Sequence, residues 1–143
     1  MAEQNATQPQ FQLQRIFLKD LSFEAPKTPV IFKEQWKPDV NLEINNSANA
    51  VEGDIWEVVV KVTVTVKNGE STAFIVEVAQ AGLFLLQGVE GIQKEAILKG
   101  VCPNILFPYA RETVSDVVSR GTFPPFLLQP INFEAAFAEH LRQ

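Results

Sequence analysis

From Ile55 to Lys67 the chain alternates, with Trp56, Val58, Val60, Val62, Val64 and Val66 on one side and Glu57, Lys61, Thr63, Thr65 and Lys67 mostly on the other. Period-two alternation predicts a strand with one buried face. The stretch KNGE follows, and STAFIVEVAQAGLFLL then begins a second strand, so the two predict a hairpin. A two-residue turn at Asn68-Gly69 sets Val62 opposite Ile75 and Val60 opposite Glu77, which puts a carboxylate on the apolar face. The expected register therefore slips. A three-residue loop with Gly69 left-handed at a bulge sets Val62 against Phe74 and Val60 against Val76, and turns Ile75 and Glu77 to water.

Upstream, FQLQRIFLKDLSFEA changes phase twice: Phe11 and Leu13 share one parity, Ile16 and Leu18 the other, and Leu21 and Phe23 return to the first. This predicts one long strand with bulges or bends. Asp20, Ser22 and Glu24 alternate with Leu21 and Phe23 and so face solvent. DVNLEIN, residues 39 to 45, predicts a further strand with Val40, Leu42 and Ile44 inward. Between these two strands Pro26, Pro29 and Pro38 interrupt regular structure, while Val30, Ile31, Phe32 and Trp36 supply apolar surface.

The last third is helical in pattern. EGIQKEAILKG suits a short helix ending at Gly100. PNILFPYARETVSDVVSRG suits a longer one, with Pro103 in its first turn, Pro108 bending it or delaying its start, and Gly121 just past its end. NFEAAFAEHLR predicts an amphipathic helix capped by Asn132 and apolar at Phe133, Ala136, Phe137 and Leu141. Four strands followed by helices predict an α+β fold, a four-stranded antiparallel sheet with C-terminal helices on one face. Between the last two helices, GTFPPFLLQPI carries Phe123, Phe126, Leu127, Leu128 and Ile131 among three prolines. An apolar stretch that cannot be a helix needs an explanation, and two are open: it lids the core, or it is a binding surface.

With 143 residues, 46% of them apolar, the chain is expected to form one domain spanning 1–143, with residues 1–10 a flexible tail. No apolar run approaches the roughly 20 residues of a membrane span, and MAEQNATQPQ is not a charged-then-apolar export signal. With Cys102 as the single cysteine, the expected address is the cytoplasm. A net charge of −5 argues against nucleic acid and favours a cationic partner.

Catalytic and metal-binding constellations are not expected. His140 is a lone histidine near the C-terminus, which gives no Ser-His-Asp or Cys-His arrangement and too few soft ligands for a metal. Cys102 precedes Pro103 at an expected helix start, where a thiol pKa can be depressed; the competing reading is a small buried apolar residue. GVEG, residues 88 to 91, lacks the Lys-Ser/Thr of a phosphate loop. Neither enzyme activity nor a cofactor is expected.

The stretches CPNILFPYARETVSDVVSRGTFPPF, FQLQRIFLKDLSFEAP, VTVTVKNGESTAFIVEVAQAGLF and INFEAAF closely resemble the SecB family of bacterial protein-export chaperones, from about Phe11 to the last helix. The resemblance implies a homotetramer, a dimer of dimers, that holds unfolded precursor proteins without using nucleotide and delivers them to the SecA ATPase. It implies a SecA-docking face at Asp20, Glu24, Ile75 and Glu77, the zinc of that complex belonging to SecA. It also turns the proline-rich apolar loops into expected client-binding surface: Val30, Phe32, Trp36, Phe123, Phe126, Leu127 and Leu128. Phe23, Leu42, Ile44, Phe84 and Phe137, from the adjoining sheet and last helix, complete the expected groove. The alternative is an oligomeric adaptor whose loops serve only self-assembly and whose acidic face is its sole ligand site.

Overall fold

The computed structural model describes residues 8–143. Four antiparallel strands, β1 (Gln10–Glu24), β2 (Pro38–Glu52), β3 (Ile55–Asn68) and β4 (Ser71–Gln87), form one sheet in the order β1-β4-β3-β2. Helices α1 (Gly91–Ala96), α2 (Cys102–Arg120) and α3 (Phe133–Leu141) follow in the chain. Most of the expected tail lies outside the described residues, and Gln10 already opens β1.

The two phase changes in the first strand are two bulges. Gln14 and Lys19 are skipped in the pairing of β1 with β4. Each skip restores the parity, so Phe11, Leu13, Ile16, Leu18, Leu21 and Phe23 pair with Leu86, Phe84, Gly82, Gln80, Val78 and Val76 and share one face of the sheet with them. A bulge leaves a ladder acceptor without its partner. Gln80, buried on that face, donates from Nε2 to the Phe17 carbonyl at 3.0 Å beside the second bulge.

The hairpin register differs from the expected one. Val62 pairs with Val78, Val64 with Val76 and Val66 with Phe74; the turn is Gly69-Glu70 between paired Asn68 and Ser71, and the bulged residue is Ala73. Gly69 is left-handed, at φ +66°, as a tight turn there requires. Without the bulge this turn would set Glu77 opposite Val62 and Ile75 opposite Val64. One extra residue on β4 moves both to the other face, so the expected sidedness holds although the partners do not.

The helix face of β3 is a column of fully buried valines, Val58, Val60, Val62 and Val64, and α2 covers it with Leu106, Ala110, Val114 and Val118. Gly100 does not end a helix. A π-helical segment, Ile97–Val101, joins α1 to α2, so the chain is helical from Gly91 to Arg120. The wider turn gives room to the ring of Pro103, which in an α-helix would collide with the carbonyl of Lys99. α2 runs through Pro108 and stops at Gly121, whose φ of −80° any residue can adopt; the left-handed residue is Thr122, at φ 61°. Gly121 is small for another reason. A Cβ there would lie 2.7 Å from Cζ of Phe23. Asn132 caps α3 as expected, accepting from the Ala135 amide at 3.1 Å.

Candidate functional site

The stretch between α2 and α3 is extended and alternates in burial. Phe123 and Leu128 point into the core, Phe126 and Ile131 are half-buried, and Leu127 is 69% exposed. Both explanations of its grease therefore apply, residue by residue. Across from it, the loop between β1 and β2 contains one short 3-10 turn, Val30–Lys33, despite its prolines. Ile31 is buried there, while Val30 and Phe32 are exposed at 64% and 50%.

The two loops meet on Phe123. Its ring lies 5.4 Å from Phe32, 5.9 Å from Trp36 and 4.9 Å from Phe74, and Phe74 in turn stacks on Phe23 at 5.9 Å. Ring separations in this range are those of favourable aromatic pairs. Two cavities open beside the cluster. One of about 90 Å³ is lined by Trp36, Pro38, Val40, Phe74, Pro125 and Phe126 among others. The other, of about 220 Å³, lies between Ile31, Phe32, Glu34, Thr122 and Phe123. They share Trp36 and Pro124. Both are below the roughly 300 Å³ where small-molecule sites begin, so each suits an apolar side chain or two.

The groove continues along the edge of the sheet, where Val40 and Leu42 of β2 face the helix side yet are 46% and 41% exposed, with Ile44 half-buried beyond them. Trp36, half-buried, sits at the junction. Four of the expected client contacts are buried in this fold. Phe84 is fully buried under Phe11, 5.7 Å away, and Phe123, Leu128 and Phe137 are core side chains; Phe123 reaches the surface only as the wall of a cavity. Aromatic content cannot distinguish the floor of a groove from its open side. Phe23 is half-buried against Gly121.

The opposite face of the sheet is polar at the end that holds Glu24 and apolar further along, where Phe17, Val59, Leu83 and Leu85 stand. Glu24 pairs with Ile75, Ser22 with Glu77 and Asp20 with Ala79, so the four expected docking residues occupy one patch across β1 and β4. The pairing continues through Thr65, Thr63 and Lys61 of β3 to Asn41, Glu43 and Asn45 of β2. Lys61 stands in line with Asp20, and the neighbouring Lys19 pairs with Glu57 at 2.8 Å.

Cys102 lies eleven residues into the continuous helical stretch, away from any helix N-terminus, and it is buried. Desolvation pushes its thiol from 9.0 up to about 12, the reverse of an activated cysteine. His140 is exposed on α3, beside a cavity of about 340 Å³ lined also by Asn46, Lys99 and Phe137. Among the described residues no group of three or more His, Cys, Asp or Glu could hold a metal, and no helix is long and apolar enough to cross a membrane.

One site residue escaped the sequence reading. Asn68, taken there for a turn residue, is 6% exposed; its Oδ1 accepts from the Lys37 amide at 2.7 Å, and its Nδ2 donates to the Gln35 carbonyl at 3.0 Å and to Glu34 Oε1 at 3.4 Å. The signal was present in its parity, because Asn68 takes the next inward position after Val58 through Val66.

A sheet with helices on one face, bearing an apolar groove at its edge, has the fold of a SecB-like chaperone. A SecB-like chaperone from Mycobacterium tuberculosis, solved in complex with a ChAD peptide from the HigA1 antitoxin, superposes with a TM-score of 0.70 over 91% of this chain and 95% of its own, at 20% identity. The family model described as preprotein translocase subunit SecB matches residues 4–143. Protein-export protein SecB from Pseudomonas fluorescens strain Pf0-1 is 53% identical over 99% of this chain and 88% of its own length. The same protein from Marinobacter nauticus is 51% identical over 98% and 85%. The chain belongs to the SecB family of protein-export chaperones.

Proposed function

We propose that this chain is an ATP-independent holdase of the cytoplasm, which binds unfolded secretory precursors in the groove around Trp36 and delivers them to the SecA ATPase. The observation that carries the reading is the pair of adjoining apolar cavities that share Trp36, flanked by exposed Val30, Phe32 and Leu127 and continued by Val40 and Leu42. Each client Phe or Leu buried there gains ~1.5–3 kcal/mol before ordering costs are subtracted. One contact is weak; several on one chain are strong through effective concentration. Native clients have already buried such side chains, which restricts binding to unfolded ones.

Delivery uses the other face. Asp20, Glu24 and Glu77 around Ile75 form a docking patch for a cationic segment of SecA. The register that sets Glu24 beside Ile75 and Ser22 beside Glu77 supports this assignment. Isolated surface charges contribute only ~0–1 kcal/mol to stability but can steer and orient a partner. A homotetramer, a dimer of dimers, accounts for the apolar helix-side residues that β1 leaves uncovered: Phe11, Leu13, Leu18 and Leu21 are each at least 38% exposed. Several copies of the groove lengthen the track for one client.

The deciding experiment is suppression of aggregation of a reduced, denatured model protein at near-stoichiometric tetramer, with no ATP present. A holdase keeps the protein in solution; turbidity equal to the buffer control would reduce the chain to the adaptor alternative.

A further inference from the structure

We propose that Asn68 is a positioning residue for the client groove: its carboxamide fixes the backbone on both sides of Trp36 and so sets the opening of both cavities. This rests on the groove reading above and adds to it the part that holds the groove in shape.

The first half of the loop between β1 and β2 is held by its own backbone. The Ile31 amide donates to the Lys27 carbonyl at 2.9 Å, Phe32 to Pro29 at 3.1 Å and Glu34 to Ile31 at 3.2 Å. Beyond Glu34 the ties come from Asn68, which accepts from the Lys37 amide and donates to the Gln35 carbonyl. These are the two residues that flank Trp36. A third bond, to Glu34 Oε1, reaches the residue that lines the larger cavity. A carboxamide is the one neutral side-chain group of this size that can accept from one loop residue and donate to two others at once.

Asn68 itself is rigidly placed. It pairs with Pro38 of β2 and Ser71 of β4 at the end of the buried face of β3, next to fully paired Val66. The hydrogen bonds therefore transmit the position of the sheet to the loop. Buried, saturated polar groups of this kind specify geometry more than they add stability. Trp36 has a counterpart on the other loop, Phe123, only through ring contact, and a ring contact permits sliding where two flanking hydrogen bonds do not.

The test uses the full chain with Trp56→Phe as parent, so that Trp36 is the only tryptophan, and a reduced, carboxymethylated, permanently unfolded model protein as probe. Asn68→Ala should move the Trp36 emission to longer wavelength and weaken probe binding about ten-fold, the size of one or two net buried hydrogen bonds. Asn68→Asp supplies the signature that a merely structural role lacks. Its carboxylate can still accept from the Lys37 amide, but it faces the Gln35 carbonyl and the Glu34 carboxylate, with Lys67 the adjacent cation in sequence. As the pH is lowered from 7.5 to 5.5 this crowded carboxyl takes up a proton, regains a donor for the Gln35 carbonyl, and should recover emission and affinity towards the parent. Urea melts of both variants exclude global unfolding. Parent-like emission and affinity in both, or a pH profile for Asn68→Asp that runs parallel to the parent's, overturns the proposal while leaving the groove intact. Unchanged binding on Trp36→Ala overturns the groove reading itself, and the role of Asn68 with it.

Discussion

The two faces of the sheet are built from the same four strands and the same register, yet they do opposite things. On the helix side the rows are apolar except for Leu18-Gln80-Val60-Asn46, running from Phe23-Val76-Val64-Leu42 to Phe11-Leu86, and the centre of that face is sealed by α2. On the outer side two rows read Ser22-Glu77-Thr63-Glu43 and Asp20-Ala79-Lys61-Asn45, short and polar, before Phe17-Ala81-Val59 turns that face apolar. The difference teaches where function can sit. A helix 19 residues long cannot cover four strands, so the apolar face is sealed over β3 and β4 and left open along both edges. Those open margins are the surface that the proposed function assigns to clients and to other copies of the chain. The polar end of the outer face needs no cover, and the docking patch proposed above lies there, apart from the groove.

The sharpest break of this comparison is between the sealed centre and the outer face. Phe84→Ala should cost about 3–5 kcal/mol by urea denaturation, as large-to-small changes at fully buried aromatic positions do. Thr63→Ala, on the outer face, should stay within about 0.5 kcal/mol. Equal losses would mean that the outer face is covered in the assembled protein.

The open margin of β1 comes next. Replacing Leu18 and Leu21 together by lysine should leave the protomer folded, since both are well exposed in it, and should shift the mass measured by light scattering from a tetramer to a smaller species. An unchanged mass would place the subunit contacts elsewhere.

Two substitutions then separate groove from patch. Trp36→Ala should weaken holding of an unfolded client about ten-fold, as truncation of a central aromatic anchor does, with the melting temperature changed by only a few degrees. Glu77→Lys should do the reverse, leaving client holding intact while abolishing the proposed binding of a cationic SecA segment in titration calorimetry, which in the wild type should weaken as salt is raised. Loss of both functions in either variant would merge the two sites.

Cys102 reports on the sealed centre chemically. With its thiol held at about 12, the native protein should resist a thiol reagent at pH 8 and react when unfolded in urea. Between pH 9 and about 12 the unfolded chain loses this proton while the native one keeps it, so stability should fall as the pH rises through that window.

The alternation of Val58 to Val66 and the phase changes of β1 made the sheet legible, because a side-chain period of two leaves no freedom about which residues share a face. The need to keep Glu77 off the apolar face was enough to demand a bulge and to place Ile75 outward. It was not enough to locate the bulge, since a skip at Ala73 and a longer turn give the same parity. Asn132 as a cap was equally legible, being a local side-chain-to-backbone bond. Gly100 misled as a helix stop, whereas Gly121 does follow the last residue of α2. Both lie where a neighbour leaves no room for a side chain: a Cβ would lie 3.0 Å from Cα of Glu134 at Gly100 and 2.7 Å from Cζ of Phe23 at Gly121, and a sequence does not distinguish a glycine chosen for its backbone from one chosen for room.

By itself, then, the sequence determined four strands, their sidedness where polar and apolar residues alternate, and the family, all properties of the chain read locally or by likeness; the second half of β2, residues 46–52, shows no such alternation and was missed. Only the tertiary structure decided which of the apolar residues are open. Phe84, Phe123 and Leu128 are as hydrophobic as Val30, Phe32 and Leu127, and what parts them is how far α2 and two loops reach across a sheet. The same holds for Asn68, whose partners Glu34, Gln35 and Lys37 lie about thirty positions away in the chain. Burial and long-range hydrogen bonding depend on distances that are fixed only once the chain has closed on itself.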